Sequence, residues 1–98
     1  MLDKPLSFLG LLNKGGNLIF GETLLHSRNL NLIILATDVA PAQGKKFEAF
    51  IAKHGLLVDR TYTKAQLGEA LGYPALSAIG IRNRKAAKAY LEKLEAKE

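Results

Sequence analysis

The run Leu32-Ile33-Ile34-Leu35-Ala36 carries no polar residue at odd or even positions. A strand with one solvated face alternates apolar and polar side chains, so an unbroken apolar run requires cover on both faces. Such a strand sits centrally in a sheet with helices above and below it. Thr37-Asp38-Val39-Ala40-Pro41 reads as the turn at its C-terminal end.

The rest of the chain supplies those helices and further strands. Leu2, Leu6, Leu9 and Leu12 recur at helical spacing with Phe8 beside them, which predicts a helix over 5–13. Pro5 suits its first turn and Gly15-Gly16 ends it. A short strand is expected at 17–20, then a second, short helix from Gly21-Glu22 through 28. Phe47, Phe50 and Ile51 share one face of an amphipathic helix over 45–54, stopped by Gly55. A strand at 56–62 leads to Thr63-Lys64-Ala65-Gln66, which has the capping-box form. The helix that follows carries Leu67, Ala70 and Leu71 and ends at Gly72. Tyr73-Pro74-Ala75-Leu76 reads as a loop and 78–81 as a strand. Asn83 is placed to cap a last helix with Ala87, Leu91 and Leu94 on its apolar stripe. Helices alternating with short strands over 98 residues predict one domain spanning 1–98, an α/β protein of the three-layer α/β/α sandwich class. The brevity of the first strand points to a mixed, roughly four-stranded sheet.

Composition narrows the chemistry. With no cysteine, disulfides, thiolate metal sites and cysteine nucleophiles are excluded. His26 and His54 lack neighbouring ligands at metal-site spacing, and no Ser-His-Asp or phosphate-loop pattern is present. No catalytic residue, metal or cofactor is therefore expected. Glu22 is placed to favour a helix N-terminus and Asp38 to cap or tighten the turn before Pro41. Tyr62 and Tyr73 are candidates to stack on unpaired bases. Against 9 Asp and Glu stand 14 Lys and Arg, a formal charge of +5 that attracts polyanions. In the last helix the lysines from Lys85 interleave with Glu92, Glu95 and Glu98, as on a solvated face. The first residues lack the pattern of a secretory signal and no apolar stretch approaches a membrane span, so a cytoplasmic location is expected.

Several segments together resemble one family. Leu9-Gly10-Leu11-Leu12 followed by Lys14-Gly15-Gly16-Asn17-Leu18-Ile19-Phe20-Gly21-Glu22 is similar to the bacterial YlxQ proteins of the ribosomal protein L-seven-Ae / L-thirty-e superfamily. The likeness continues through Leu35-Ala36-Thr37-Asp38 with Ala40-Pro41, the basic pair Lys45-Lys46, the helix around Leu67-Gly68-Glu69-Ala70-Leu71-Gly72, and Ser77-Ala78-Ile79-Gly80-Ile81. It spans nearly the whole chain in the expected order.

The resemblance implies an RNA-binding α/β/α sandwich associated with the ribosome or translation, recognising kink-turns or related internal loops. It implies two converging surfaces: the start of the second helix after Gly21, and the loop after Gly72. The implied RNA-binding residues are Lys14, Gly21, Glu22, Thr23, Ser27, Arg28, Tyr73, Pro74 and Leu76, with Lys14, Arg28, Lys45 and Lys46 expected to flank the site on one face. The chain departs from the family at the base-reading positions. Thr23 stands for the guanine-reading polar residue, Leu24 for its acidic or amide neighbour, and Ser27 beside Arg28 for a lysine. The span from Gly21 to Ala36 is also about one helical turn shorter, at ~3.6 residues per turn. A weak preference for a kink-turn over a duplex is the consequence expected. The alternative is a protein-interaction module on the same fold that no longer contacts RNA.

Overall fold

The computed structural model describes residues 3–96; Leu2 and Glu98, named above, lie outside the described residues. Its elements are α1 (Lys4–Lys14), β1 (Leu18–Phe20), a 3-10 helix (Gly21–His26), β2 (Leu32–Leu35), α2 (Pro41–His54), β3 (Leu57–Asp59), α3 (Lys64–Leu71), β4 (Ala78–Ile81) and α4 (Arg84–Ala96). The strands form one four-stranded mixed sheet in the order β1-β4-β2-β3. β4 is antiparallel to both β1 and β2, whereas β2 and β3 run parallel.

The apolar run does what its composition demands. Every residue of β2 is buried. Leu32 and Ile34 face a core shared with α1, α3 and α4, through Leu6, Leu9, Leu67 and Tyr90. Ile33 and Leu35 face the opposite core, closed by Phe47 of α2 and Leu24 of the 3-10 helix. The three layers of the expected α/β sandwich are present. No helix among the described residues is long and apolar enough to cross a membrane.

Register defines the two ends of the sheet. Phe20 and Ile34 both pair with Ile79, and Ile34 pairs with Asp59. The C-terminal ends of β1, β2 and β3 and the start of β4 therefore share one end, here called the upper end. At the lower end Leu18 and Leu32 pair with Ile81, and Leu32 with Leu57.

Local signals account for most helix ends. The Asp3 carboxylate accepts from the Leu6 amide at 3.2 Å and caps α1. Both arms of the capping box form at Thr63, with the Gln66 amide donating to Thr63 Oγ1 at 3.2 Å and the Thr63 amide to Gln66 Oε1 at 2.9 Å. Asn83 Oδ1 accepts from the Ala86 amide at 3.1 Å at the start of α4.

Four expectations are corrected. The second helix is a 3-10 helix ending at His26, not one reaching residue 28. α2 starts at Pro41 rather than at residue 45, because a proline whose φ already suits a helix occupies its first turn. The strand expected over 56–62 is only Leu57–Asp59: beyond it Tyr62 turns inward, 1% exposed, and its carbonyl accepts from the Thr37 amide at 2.9 Å. Asp38 does not tighten its own turn; Asp38 Oδ1 accepts from the Lys64 amide at 2.8 Å, tying the end of β2 to the start of α3.

Candidate nucleic-acid interface

At the upper end, Gly21 leaves β1 with φ +60, a conformation glycine adopts without strain. The 3-10 helix then packs over the sheet. Leu24 is wholly buried among Leu30, Ile33 and Leu35, so it is a core residue and has no part in reading a base. Leu30 and Leu24 can approach this closely because β4 has Gly80 there; a Cβ on it would lie 3.0 Å from Leu30 Cδ2 and 3.6 Å from Leu24 Cβ. Glu22 and Thr23 are exposed beside it. Glu22 Oε1 lies 3.7 Å from Lys46 Nζ, an exposed ion pair that ties the 3-10 helix to α2.

The loop after α3 comes to the same end. Gly72 adopts φ +82 and reverses the chain, with the Tyr73 amide donating to the Gly68 carbonyl at 2.8 Å. The loop returns along α3 until the Leu76 amide donates to the Lys64 carbonyl at 3.1 Å. Tyr73 is 45% exposed, and its ring lies 5.4 Å from that of Phe20, at the end of β1. Pro74 is exposed, and Leu76 is half-buried against the core. Gly21, Glu22, Thr23, Tyr73, Pro74 and Leu76 therefore lie at one end of the sheet, six of the nine residues that the resemblance implied.

Lys14, Ser27 and Arg28 do not join them. Lys14 ends α1 just before β1, and the carbonyl of nearby Asn17 accepts from the Arg82 amide at the lower end. Ser27 and Arg28 follow the 3-10 helix down the sheet and line a lower cleft with Asn29, Leu30, Phe50, His54 and Leu56. The four lysines and arginines expected to flank one site are thus divided. Lys46, preceded by exposed Lys45, borders the upper group, whereas Lys14 and Arg28 lie at the lower end.

Tyr62 is not available to stack on a base. Its hydroxyl donates to the Asp3 carboxylate at 3.1 Å, and burial, followed by that hydrogen bond and the charges of Asp3 and Asp59, pushes its ionisation well up. Tyr90 is held similarly: its hydroxyl donates to Asp59 Oδ2 at 3.0 Å, and burial and then Asp59 raise its ionisation strongly. These pairs fasten α1 and α4 to the segment around β3.

Two ring contacts escaped the sequence reading. Phe20 is the partner of Tyr73, and nothing local marks it beyond an aromatic residue before the turn glycine. Phe50 and His54 meet at 4.5 Å between centroids, and their spacing of one helical turn was a readable signal. Among the described residues no three His, Cys, Asp or Glu side chains are grouped to hold a metal ion.

No family model matches the chain, and no curated protein does. Among solved structures, a protein of unknown function from Bacillus halodurans C is similar over 94% of this chain and 97% of its own, with a TM-score of 0.83 and 23% sequence identity. At that identity the likeness establishes the shared α/β fold.

Proposed function

We propose that this protein binds structured RNA through the upper end of its sheet, as a non-catalytic, ribosomal-protein-like RNA-binding domain acting in the context of the ribosome or translation. The carrying observation is the juxtaposition of two segments distant in sequence. Tyr73 is set against Phe20 at the end of β1, and the next residue, Gly21, opens the 3-10 helix on which Glu22 and Thr23 are exposed. Unpaired bases in loops and bulges expose the faces and edges that such an aromatic pair and a polar turn can engage. The ordered resemblance to YlxQ proteins and the +5 charge support the same reading. Thr23 offers one hydroxyl, so the preference for a kink-turn over a duplex is weak.

An anisotropy titration tests this, using a labelled RNA hairpin with an internal loop against a blunt duplex of equal length. The looped RNA binds more tightly, and affinity falls linearly on a log–log plot against salt. Tyr73→Ala weakens the looped complex by the ~1–3 kcal/mol typical of one base–aromatic stack. Salt-independent binding, or equal affinity for both RNAs with no effect of Tyr73→Ala, rejects the proposal. The second reading, a protein-interaction module, is favoured by the burial of Leu24 and the pairing of Glu22 with Lys46; absence of binding to either RNA would select it.

A further inference from the structure

The charges of this protein are sorted by end. Lys14, Arg28, Lys53, Arg82, Arg84 and Lys85 are all exposed, and topology places each at the lower end: at the ends of α1 and α2, before β2, and around the turn from β4 into α4. No described carboxylate lies there. Asp3, Glu22, Asp38 and Asp59 belong to the upper end, and Glu48, Glu69, Glu92 and Glu95 lie along helices. The ion pairs among the described residues, Lys46 with Glu22 and Arg60 with Glu48, involve none of the lower cations.

Helix stability explains part of this pattern. Lys14 and Lys53 occupy last turns, where the helix dipole favours a cation. Arg84 and Lys85 have the opposite placement. They occupy the first turn of α4, which holds no acidic residue, so both charges oppose the dipole. With Arg82 and Arg28 they form a group of cations that local folding does not call for.

Of this group Arg28 borders a cleft of 230 Å3, lined also by Ser27, Asn29, Phe50, His54 and Leu56, whereas Arg84 lies across Asn31 on the α4 side of the sheet. One wall is aromatic, the tilted Phe50–His54 pair. Asn29 holds the lip in a left-handed turn, φ +63, that few residues other than glycine accept. The volume is below the ~300 Å3 at which pockets for drug-sized ligands begin, which suits a single planar ring. Cations with no carboxylate partner next to an aromatic wall are the two components of single-strand nucleic-acid binding.

We propose that the lower end is a second RNA surface, at which the backbone of an unpaired strand crosses Arg28, Arg82 and Arg84 and one base enters the cleft against His54. This rests on the reading of the chain as an RNA binder but uses none of the upper-end residues.

The test is a titration of labelled hexauridylate, which has no stable fold, followed by anisotropy and by backbone amide shifts. The expected shifts fall on Arg28, Asn29, His54 and Leu56. Arg28→Gln combined with Arg84→Gln weakens binding by about tenfold or more and lowers the log–log salt slope by about 0.7 for each phosphate contact removed. Both replaced side chains are exposed, and an unchanged thermal melt confirms that the variant is folded. A hexamer of abasic ribose-phosphate binds several-fold more weakly, because it has nothing to place in the cleft. Hexauridylate shifts confined to Gly21, Thr23 and Tyr73, with wild-type affinity in the double variant, overturn this proposal and leave the upper-end reading standing. Equal affinity for the abasic hexamer overturns the base-in-cleft assignment. Failure of both hexauridylate and the looped hairpin to bind overturns both readings.

Discussion

Replacing Gly68 by alanine tests whether the upper-end loop owes its position to the absence of one methyl group. Gly68 lies inside α3, where alanine would ordinarily be favoured by ~1 kcal/mol. Here the added Cβ would sit 2.6 Å from the Tyr73 carbonyl oxygen and 2.8 Å from both Cα and N of Ala75. All three are backbone atoms, so no rotamer change relieves the overlap. The loop must retreat by about 0.8 Å to restore ordinary contact at 3.4 Å from the carbonyl oxygen. Overpacking of this kind costs ~1–3 kcal/mol. The retreat also strains the amide bonds from Tyr73 to Gly68 and from Leu76 to Lys64, each worth ~1 kcal/mol net. After the helix-propensity gain is subtracted, a loss of about 2 kcal/mol remains. For a domain of this size that lowers Tm by roughly 10 °C, at ~4–8 °C per kcal/mol. The assay is thermal unfolding followed by circular dichroism. Chemical shifts of Tyr73 and Phe20 report whether their rings have separated. A Tm equal to or above that of the unmodified protein, with the ring contact intact, would refute the argument that Gly68 fixes the loop.

Leu24→Glu places an unpaired charge in a fully buried site and leaves the chain largely unfolded in a denaturant titration, whereas exposed Thr23→Asn changes stability by less than ~0.5 kcal/mol. Tyr62 and Tyr90 remain protonated in the folded state above the pH at which they ionise in the unfolded chain. The unfolded chain therefore releases more protons, and stability, fully present below about pH 10, falls above it by ~1.4 kcal/mol per pH unit for each tyrosine. Urea titrations between pH 9 and 11 should show that slope reduced in Tyr90→Phe. Glu22→Gln removes an exposed ion pair and shifts Tm by no more than a few degrees, while it increases affinity for the looped RNA by freeing Lys46 and removing a negative charge; weaker binding would assign Glu22 a direct polar contact.

The sequence disclosed most where one residue pattern admits one structure. The run from Leu32 to Leu35, β-branched at its centre and short, matches a covered strand, and Thr63 with Gln66 matches a helix start. It disclosed less where several outcomes share a pattern. Thr37 and Asp38 form the turn expected after β2, with the Val39 amide donating to the Ala36 carbonyl, but Pro41 also suits a first helical turn, and α2 therefore begins there and not at residue 45. Residues 56–62 hold enough Leu, Val, Thr and Tyr for a strand, but the hydroxyl of Tyr62 finds the Asp3 carboxylate, and that inward turn ends β3 at Asp59. That the segment after β1 and the loop after α3 come to one end was legible, because each follows an element whose glycine, Gly21 or Gly72, marks its end. The separation of Lys14 and Arg28 from them was not. Which end of a sheet a residue occupies depends on strand direction, and β1 enters the sheet from the end at which Lys14 is left. Nothing local to either residue carries that information.

The 3-10 helix explains how so short a segment connects the two ends of the sheet. A 3-10 helix rises ~2.0 Å per residue, against ~1.5 Å for an α-helix. The six residues Gly21–His26 therefore extend about 12 Å, close to the ~13 Å of a four-residue strand. An α-helix of the same length would extend about 9 Å and leave Leu30 short of its place over Gly80. The tighter winding has a cost, because 3-10 hydrogen bonds are poorer. That cost is offset by anchors along the segment: Leu24 at full burial, Leu30 against Gly80, and the bond from Ser27 Oγ to the Thr23 carbonyl at 3.2 Å. Substitutions that release either leucine therefore act at both ends at once, displacing Thr23 above and Arg28 from the cleft below.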